Sequence, residues 1–204
     1  DFAWTASPDI SVDEDHSQHV KIRLIIQTGR EGQDSRYLES AKAALGYFER
    51  WLGKYPYPNL TIVDPPYGGF GAAGMEYPTL ITGGSFWGMP EGLKFTELAT
   101  THEFGHQYWY GLVASNEFEE AWLDEGFNQY SETRIMDETY GKKTSVMDFL
   151  GYRQGDLESA RSGYAGLDNP KIAPTFARSW DYKAGGYGVM TYNKTAVFMT
   201  TLER

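Results

Sequence analysis

The chain predicts an α+β fold, and three observations predict it. Before residue 93, short runs of β-branched and aliphatic residues stand between Gly, Pro and Asp turns, as strands do. A single amphipathic helical pattern interrupts them. From Phe95 onward the apolar period changes to three and four residues, with breaks at Gly111, Gly141 and around residues 163–174. The expected architecture is a β-rich lobe over residues 11–93 followed by a helical lobe over 94–204.

Taken in order, Phe2-Ala3-Trp4-Thr5 reads as a short strand closed by Ser7-Pro8-Asp9. His16 and His19 lie in a polar, acidic stretch and read as a solvated loop or strand end. Residues 20–26 alternate and then run apolar, as a sheet strand does. Leu38, Ala41, Leu45, Phe48 and Leu52 recur at helical steps, so a helix is expected over about 35–54 with Ser35 as its N-cap. Gly53 and the prolines after it end that helix. Residues 60–63 form the next strand, stopped by Asp64-Pro65-Pro66. The glycine-rich run 68–74 lacks the Lys-Ser/Thr of a phosphate loop and suits a rim beside a site. Residues 75–82 read as a further strand, and Pro78 inside it implies an edge able to offer backbone groups to an extended peptide. Residues 83–92 are a loop, and no solenoid period recurs along the chain.

The composition narrows the function classes. Hydrophobic residues make up 41%, with 15 Tyr, 11 Phe and 6 Trp, enough for a folded core in 204 residues. A net charge of −10 repels nucleic-acid phosphates and suits a cleft that attracts cations, such as the amino end of a peptide, though it also serves solubility. There is no cysteine, hence no disulfide and no thiolate ligand. No apolar run reaches the roughly 18 residues of a membrane span. Asp1 and the helical pattern running into Thr201-Leu202-Glu203-Arg204 suggest an excised piece of a longer protein, so the compartment stays open.

The chemistry gathers in one stretch. Phe95, Leu98, Ala99, His102, His106 and Trp109 share a helical stripe, so both histidines continue an apolar, buried face. Residues four apart on a helix are neighbours, and two imidazoles so placed can converge on zinc, with a carboxylate completing the set. Glu125, in Trp122-Leu123-Asp124-Glu125-Gly126-Phe127, is the candidate carboxylate. Glu103 is turned by about 100° from His102 and can face a metal's open position as a general base without ligating it.

His102-Glu103-Phe104-Gly105-His106 with Glu125 resembles the gluzincin aminopeptidases, the alanyl-aminopeptidase and leukotriene-hydrolase group. Gly74-Met75-Glu76 is similar to that family's Gly-x-Met-Glu-Asn exopeptidase motif. Tyr187 and Tyr192-Asn193-Lys194 are similar to its tyrosine segment. Asp1-Phe2-Ala3-Trp4 resembles the closing strand of its N-terminal β domain, making residues 1–10 a trailing piece of that domain and 11–204 a C-terminally truncated catalytic domain. The resemblance implies a thermolysin-like zincin fold and one zinc ion per chain on His102, His106 and Glu125. It implies Glu103 as proton shuttle, Tyr192 as donor to the oxyanion, Tyr187 as a substrate-binding residue of the same cleft, and Glu76 as anchor of the substrate's α-amino group. The implied activity is a zinc aminopeptidase acting on peptides with a free N-terminus, helped by flanking domains of the same protein. A thermolysin-like endopeptidase and a non-catalytic scaffold are the alternatives. Two residues depart from the family pattern, Tyr77 where it has Asn and Asp124 where Asn is usual. Glu132, seven residues after Glu125, shares its helical face and suits a carboxylate partner to a zinc-bound histidine.

Overall fold

The computed structural model describes residues 2–30, 32–169, 174–183 and 185–204. They form two compact units, Asp1–Gln107 and Tyr108–Arg204. The mixed α+β content matches the expectation.

The first unit is built on a four-stranded sheet of order β1-β2-β3-β4, with β1 Ile10–Ser17, β2 Val20–Gln27, β3 Asn59–Val63 and β4 Leu80–Thr82. β1 runs antiparallel to β2, and the other two pairings are parallel. Along β2, Val20, Ile22, Leu24 and Ile26 are buried on one face, the period-two pattern of a sheet packed on one side. α1, Asp34–Leu52, links β2 to β3 and buries Tyr37, Ala41, Ala44, Leu45 and Phe48. It packs against β2 and against α2, Phe95–Gly105. Gly53 closes α1 at a φ of 103°, a conformation that glycine reaches without steric cost.

Three local expectations change. Residues 2–6 form no strand, Asp1 lies outside the described residues, and the strand of this region is β1 instead. Its sequence, Ile-Ser-Val-Asp-Glu-Asp-His-Ser, looks like a polar loop because an outer strand with both faces partly wet carries few apolar residues. His16 sits on it opposite Lys21, and His19 in the turn bonds the Tyr55 carbonyl at 2.8 Å. α1 begins at Asp34 after Gln33, with no side-chain cap, so Ser35 is inside the helix and not its N-cap. The expected strand 75–82 is a bridge, a turn and a short strand. Met75 pairs antiparallel with Thr82, Leu80 N–H donates to the Tyr77 carbonyl at 3.0 Å, and only β4 is regular.

The apolar stripe drawn along α2 is also shifted. Phe95 is 49% exposed, while Thr96, Glu97, Thr100 and Phe104 are buried. Threonine serves here as a core residue because its hydroxyl is satisfied locally: Thr100 Oγ1 donates to the Thr96 carbonyl at 2.7 Å. Phe104 stacks edge-on against Phe48 and tilts against Tyr55, at centroid distances of 5.9 and 5.5 Å. Arg36 of α1 grips Glu97 with two hydrogen bonds, Nε to Oε1 at 2.9 Å and Nη2 to Oε2 at 2.7 Å. Both groups are buried, and the guanidinium also donates to the Leu93 carbonyl, so neither charge is left alone. Glu97 further lies in the first turn of α2, where the helix dipole favours an anion.

In the second unit a π-helical turn, Trp122–Gly126, runs into α3, Phe127–Tyr140. A small hairpin of β5, Met147–Phe149, and β6, Tyr152–Gln154, follows, an addition to the helical pattern expected there. Next come α4, Asp156–Ala165, the short α5, Gly186–Gly188, a second π turn, Val189–Lys194, and α6, Thr195–Leu202. The two π turns meet at Gly126. A Cβ there would overlap the Thr195 methyl and lie 2.7 Å from the Thr191 carbonyl oxygen. Among the described residues no helix is long and apolar enough to cross a membrane.

Candidate metal centre and its surroundings

The first unit carries His102, Glu103, His106 and Glu76. Phe104 anchors α2 in the core; two residues from each of His102 and His106, it stands about 160° around the helix from both, given about 100° per residue. Burying that ring therefore turns both imidazoles to the opposite side. Their Nε2 atoms come to 3.2 Å, with the rings at 79° to each other. Two nitrogens bound tetrahedrally to zinc at 2.0–2.1 Å stand about 3.3 Å apart, so the pair has the spacing of two ligands of one ion. Both histidines are almost fully buried, as is Glu103 at 6% exposure.

Glu103 faces the Gly74 backbone. A methyl group in place of the Gly74 hydrogen would reach 3.5 Å from Glu103 Oε1, and Gly74 has a φ of 68°, which glycine adopts freely. Gly74 N–H donates to the Thr82 carbonyl at 2.9 Å and Thr82 N–H to the Met75 carbonyl at 2.8 Å, so β4 fixes this stretch beside the carboxylate. Half-buried Glu76 follows at once.

Gln107 escaped the sequence reading, although it directly follows the second histidine. It is 3% exposed, and its carboxamide uses every hydrogen-bonding site it has. Nε2 donates to the Glu76 and Tyr77 carbonyls at 3.2 Å each. Oε1 accepts from Thr79 N–H at 2.8 Å and from Tyr55 O–H at 3.5 Å. Thr79 sits at a φ of 61°, a left-handed conformation that costs a non-glycine residue about 1–3 kcal/mol.

The second unit carries Glu125, Tyr187, Tyr192 and Glu132. Glu125 is half-buried on the first π turn, and such turns are frequent at functional sites. Tyr192 lies on the second π turn, its ring 6.2 Å from that of Tyr187, which in turn meets Tyr182 edge-on at 5.6 Å. Burial, then the carboxylates of Glu125 and Asp124, push the Tyr187 hydroxyl up to about 12, so it stays a protonated donor at neutral pH. Glu132 is buried on α3 and shares Gln129 with Asp156, which starts α4: Gln129 Nε2 donates to Glu132 Oε1 at 3.1 Å and to Asp156 Oδ2 at 3.2 Å. Burial, then the Glu132 charge, raise the Asp156 carboxyl to about 7.

The family model of the Peptidase family M1 domain matches residues 36–204. The fold resembles an M1 zinc metallopeptidase from Deinococcus radiodurans, with a TM-score of 0.63 at 19% identity over 96% of this chain and 40% of the other. It also resembles a two-domain M1 zinc metallopeptidase mutant bound to L-arginine, with a TM-score of 0.62 at 18% identity, covering 96% and 40%. An aminopeptidase A from Legionella pneumophila in complex with aspartic acid gives a TM-score of 0.63 at 17% identity, covering 92% and 21%. The chain thus spans about two fifths of the Deinococcus structure and about one fifth of the Legionella one. No curated protein matches its sequence.

Proposed function

Because the chain belongs to peptidase family M1, we propose that it is the zinc-dependent catalytic part of an aminopeptidase. The observation that carries the reading is the 3.2 Å approach of the His102 and His106 Nε2 atoms, the spacing of two nitrogens on one tetrahedral zinc. In this proposal Glu125 is the third ligand. When bound, zinc supplies Lewis acidity, which brings the pKa of a coordinated water from 15.7 to about 7.

The remaining roles belong to the chain. Glu103, buried and held beside Gly74, takes the proton of the attacking water and returns it to the leaving amine. Tyr192 donates a hydrogen bond to the oxyanion, and Tyr187 lines the same substrate. Glu76 pairs with the substrate's ammonium group, a charge-assisted contact that restricts cleavage to the first residue. Tyr77, in the family's Asn position, offers its backbone carbonyl to Gln107 Nε2 at 3.2 Å.

The test compares one peptide with a free amino end and the same peptide acetylated, alongside metal analysis. Zinc near one per chain and cleavage of the free peptide alone are expected. Equal cleavage of both peptides refutes the exopeptidase reading in favour of an endopeptidase. A folded protein that takes up no zinc refutes the peptidase reading altogether.

A further inference from the structure

We propose that Gln107 is a positioning residue for recognition of the substrate's amino end, holding the backbone of Glu76 in register with the metal helix. The inference rests on the aminopeptidase reading and deepens it.

Three features of the first unit lead here. Gln107 follows His106 without an intervening residue, so its side chain and a proposed zinc ligand leave the same turn of backbone. Its amide donates to the carbonyl of Glu76 itself and to that of Tyr77, while its oxygen takes the N–H of Thr79. Only one orientation of the amide satisfies these groups, because the flipped form would set an NH2 against an N–H and an oxygen against two carbonyls. Finally, the turn it clamps is strained. Thr79 is β-branched and left-handed, and a turn of that kind persists only when its surroundings over-determine it. Gln107 supplies one side of that constraint. The other is β3, whose Thr61 N–H donates to the Thr79 carbonyl at 2.8 Å.

The opposite end of the Glu76 stretch is fixed separately, by the pairing of Gly74 and Met75 with Thr82. Between the two attachments lies Glu76, whose side chain has to meet an ammonium group at hydrogen-bond distance. Loss of the Gln107 amide removes its bonds to the Glu76 and Tyr77 carbonyls and to Thr79 N–H, leaving that end of the short span on the Thr61 bond and the Leu80–Tyr77 turn bond, and it takes no atom from the His102, His106 or Glu103 side chains. The effect therefore falls on affinity for the amino end ahead of the chemical step.

The experiment measures kcat, KM and zinc content of the zinc-loaded protein with a free-amino tripeptide, for Gln107→Met, Glu76→Gln and the double variant. Gln107→Met keeps the length and removes the polar group. The expected result is a KM raised about tenfold, kcat within about threefold and zinc unchanged. In the Glu76→Gln background the same change should move KM by less than about twofold, because both act through one contact. A purely structural role predicts a lower kcat from a smaller active fraction, an unchanged KM, and equal effects in both backgrounds; that pattern overturns the inference. If Gln107→Met does not fold by circular dichroism, Gln107→Glu replaces it. That residue keeps the acceptor for Thr79 N–H and repels the two carbonyls, so KM should again rise, and an unchanged KM overturns the inference. A KM shift in Glu76→Gln that no Gln107 variant reproduces defeats this inference alone. A Glu76→Gln protein with unchanged KM defeats the amino-end reading and this inference with it.

Discussion

Replacing Phe104 by alanine tests the way α2 is held. The ring is fully buried between Phe48 and Tyr55, at centroid distances of 5.9 and 5.5 Å. Burying such a side chain contributes about 1.5–3 kcal/mol. Each well-placed aromatic pair adds about 0.5–1.5 kcal/mol. The estimate for Phe104→Ala is therefore about 3–6 kcal/mol, in line with the roughly 3–5 kcal/mol that large-to-small aromatic changes cost in cores. Native-state hydrogen exchange reads the opening free energy of one segment without requiring the whole chain to unfold in two states. Amides of α2 should exchange about two to four orders of magnitude faster in the variant, at 1.4 kcal/mol per tenfold. Amides of α3 and α4, in the other unit, should change far less. A rise in exchange rate of less than about tenfold in α2 would refute the argument that this ring seats the metal helix.

Two further outcomes follow from the site and its surroundings. Tyr192→Phe should lower kcat by about tenfold or more with a smaller change in KM, since a donor to the oxyanion acts in the transition state; an unaltered kcat in a steady-state assay would reduce Tyr192 to packing. Asp156 predicts a pH effect in the second unit. Its carboxyl is raised from 3.8 to about 7, so the folded state holds a proton there that the unfolded chain has released. Stability from this group is complete below about pH 4 and is lost as pH rises to about 7. Asp156→Asn should flatten the decline between pH 5 and pH 8 in denaturant titrations, and an equal decline in both proteins would contradict the assignment.

What the sequence made legible is chiefly what regular spacing encodes. His102 and His106 stand one helical turn apart, and Glu103 sits between faces for the same reason. Residues 20–26 announce β2 because one face is wholly apolar. β1 stayed hidden, because Asp13, Glu14 and Asp15 pair through backbone groups and surface charges, such as Glu14 with Lys21 at 2.7 Å, rather than through a buried face. His102 and His106 are buried as their stripe predicts, but the threonines buried beside them escape an apolar pattern: a threonine whose hydroxyl bonds its own helix packs like a valine, and composition does not reveal it. Gln107 has no signature at all. An amide acquires its role from three carbonyl and N–H groups about 30 residues away in the chain, and nothing in spacing points to them.

Gly126 carries a wider consequence. The two wide helical turns bearing Glu125 and Tyr192 touch across a single hydrogen atom, with a methyl and a carbonyl waiting on the far side. No rotamer relieves a collision at Cβ, so the fold has no small adjustment to offer at that point. In a saturation library this position should return glycine alone, whereas Leu123, only part-buried one turn earlier, should accept several aliphatic replacements. Evolution or a protein engineer could retune neighbouring positions while this one acts as a fixed gauge block for everything built on either turn.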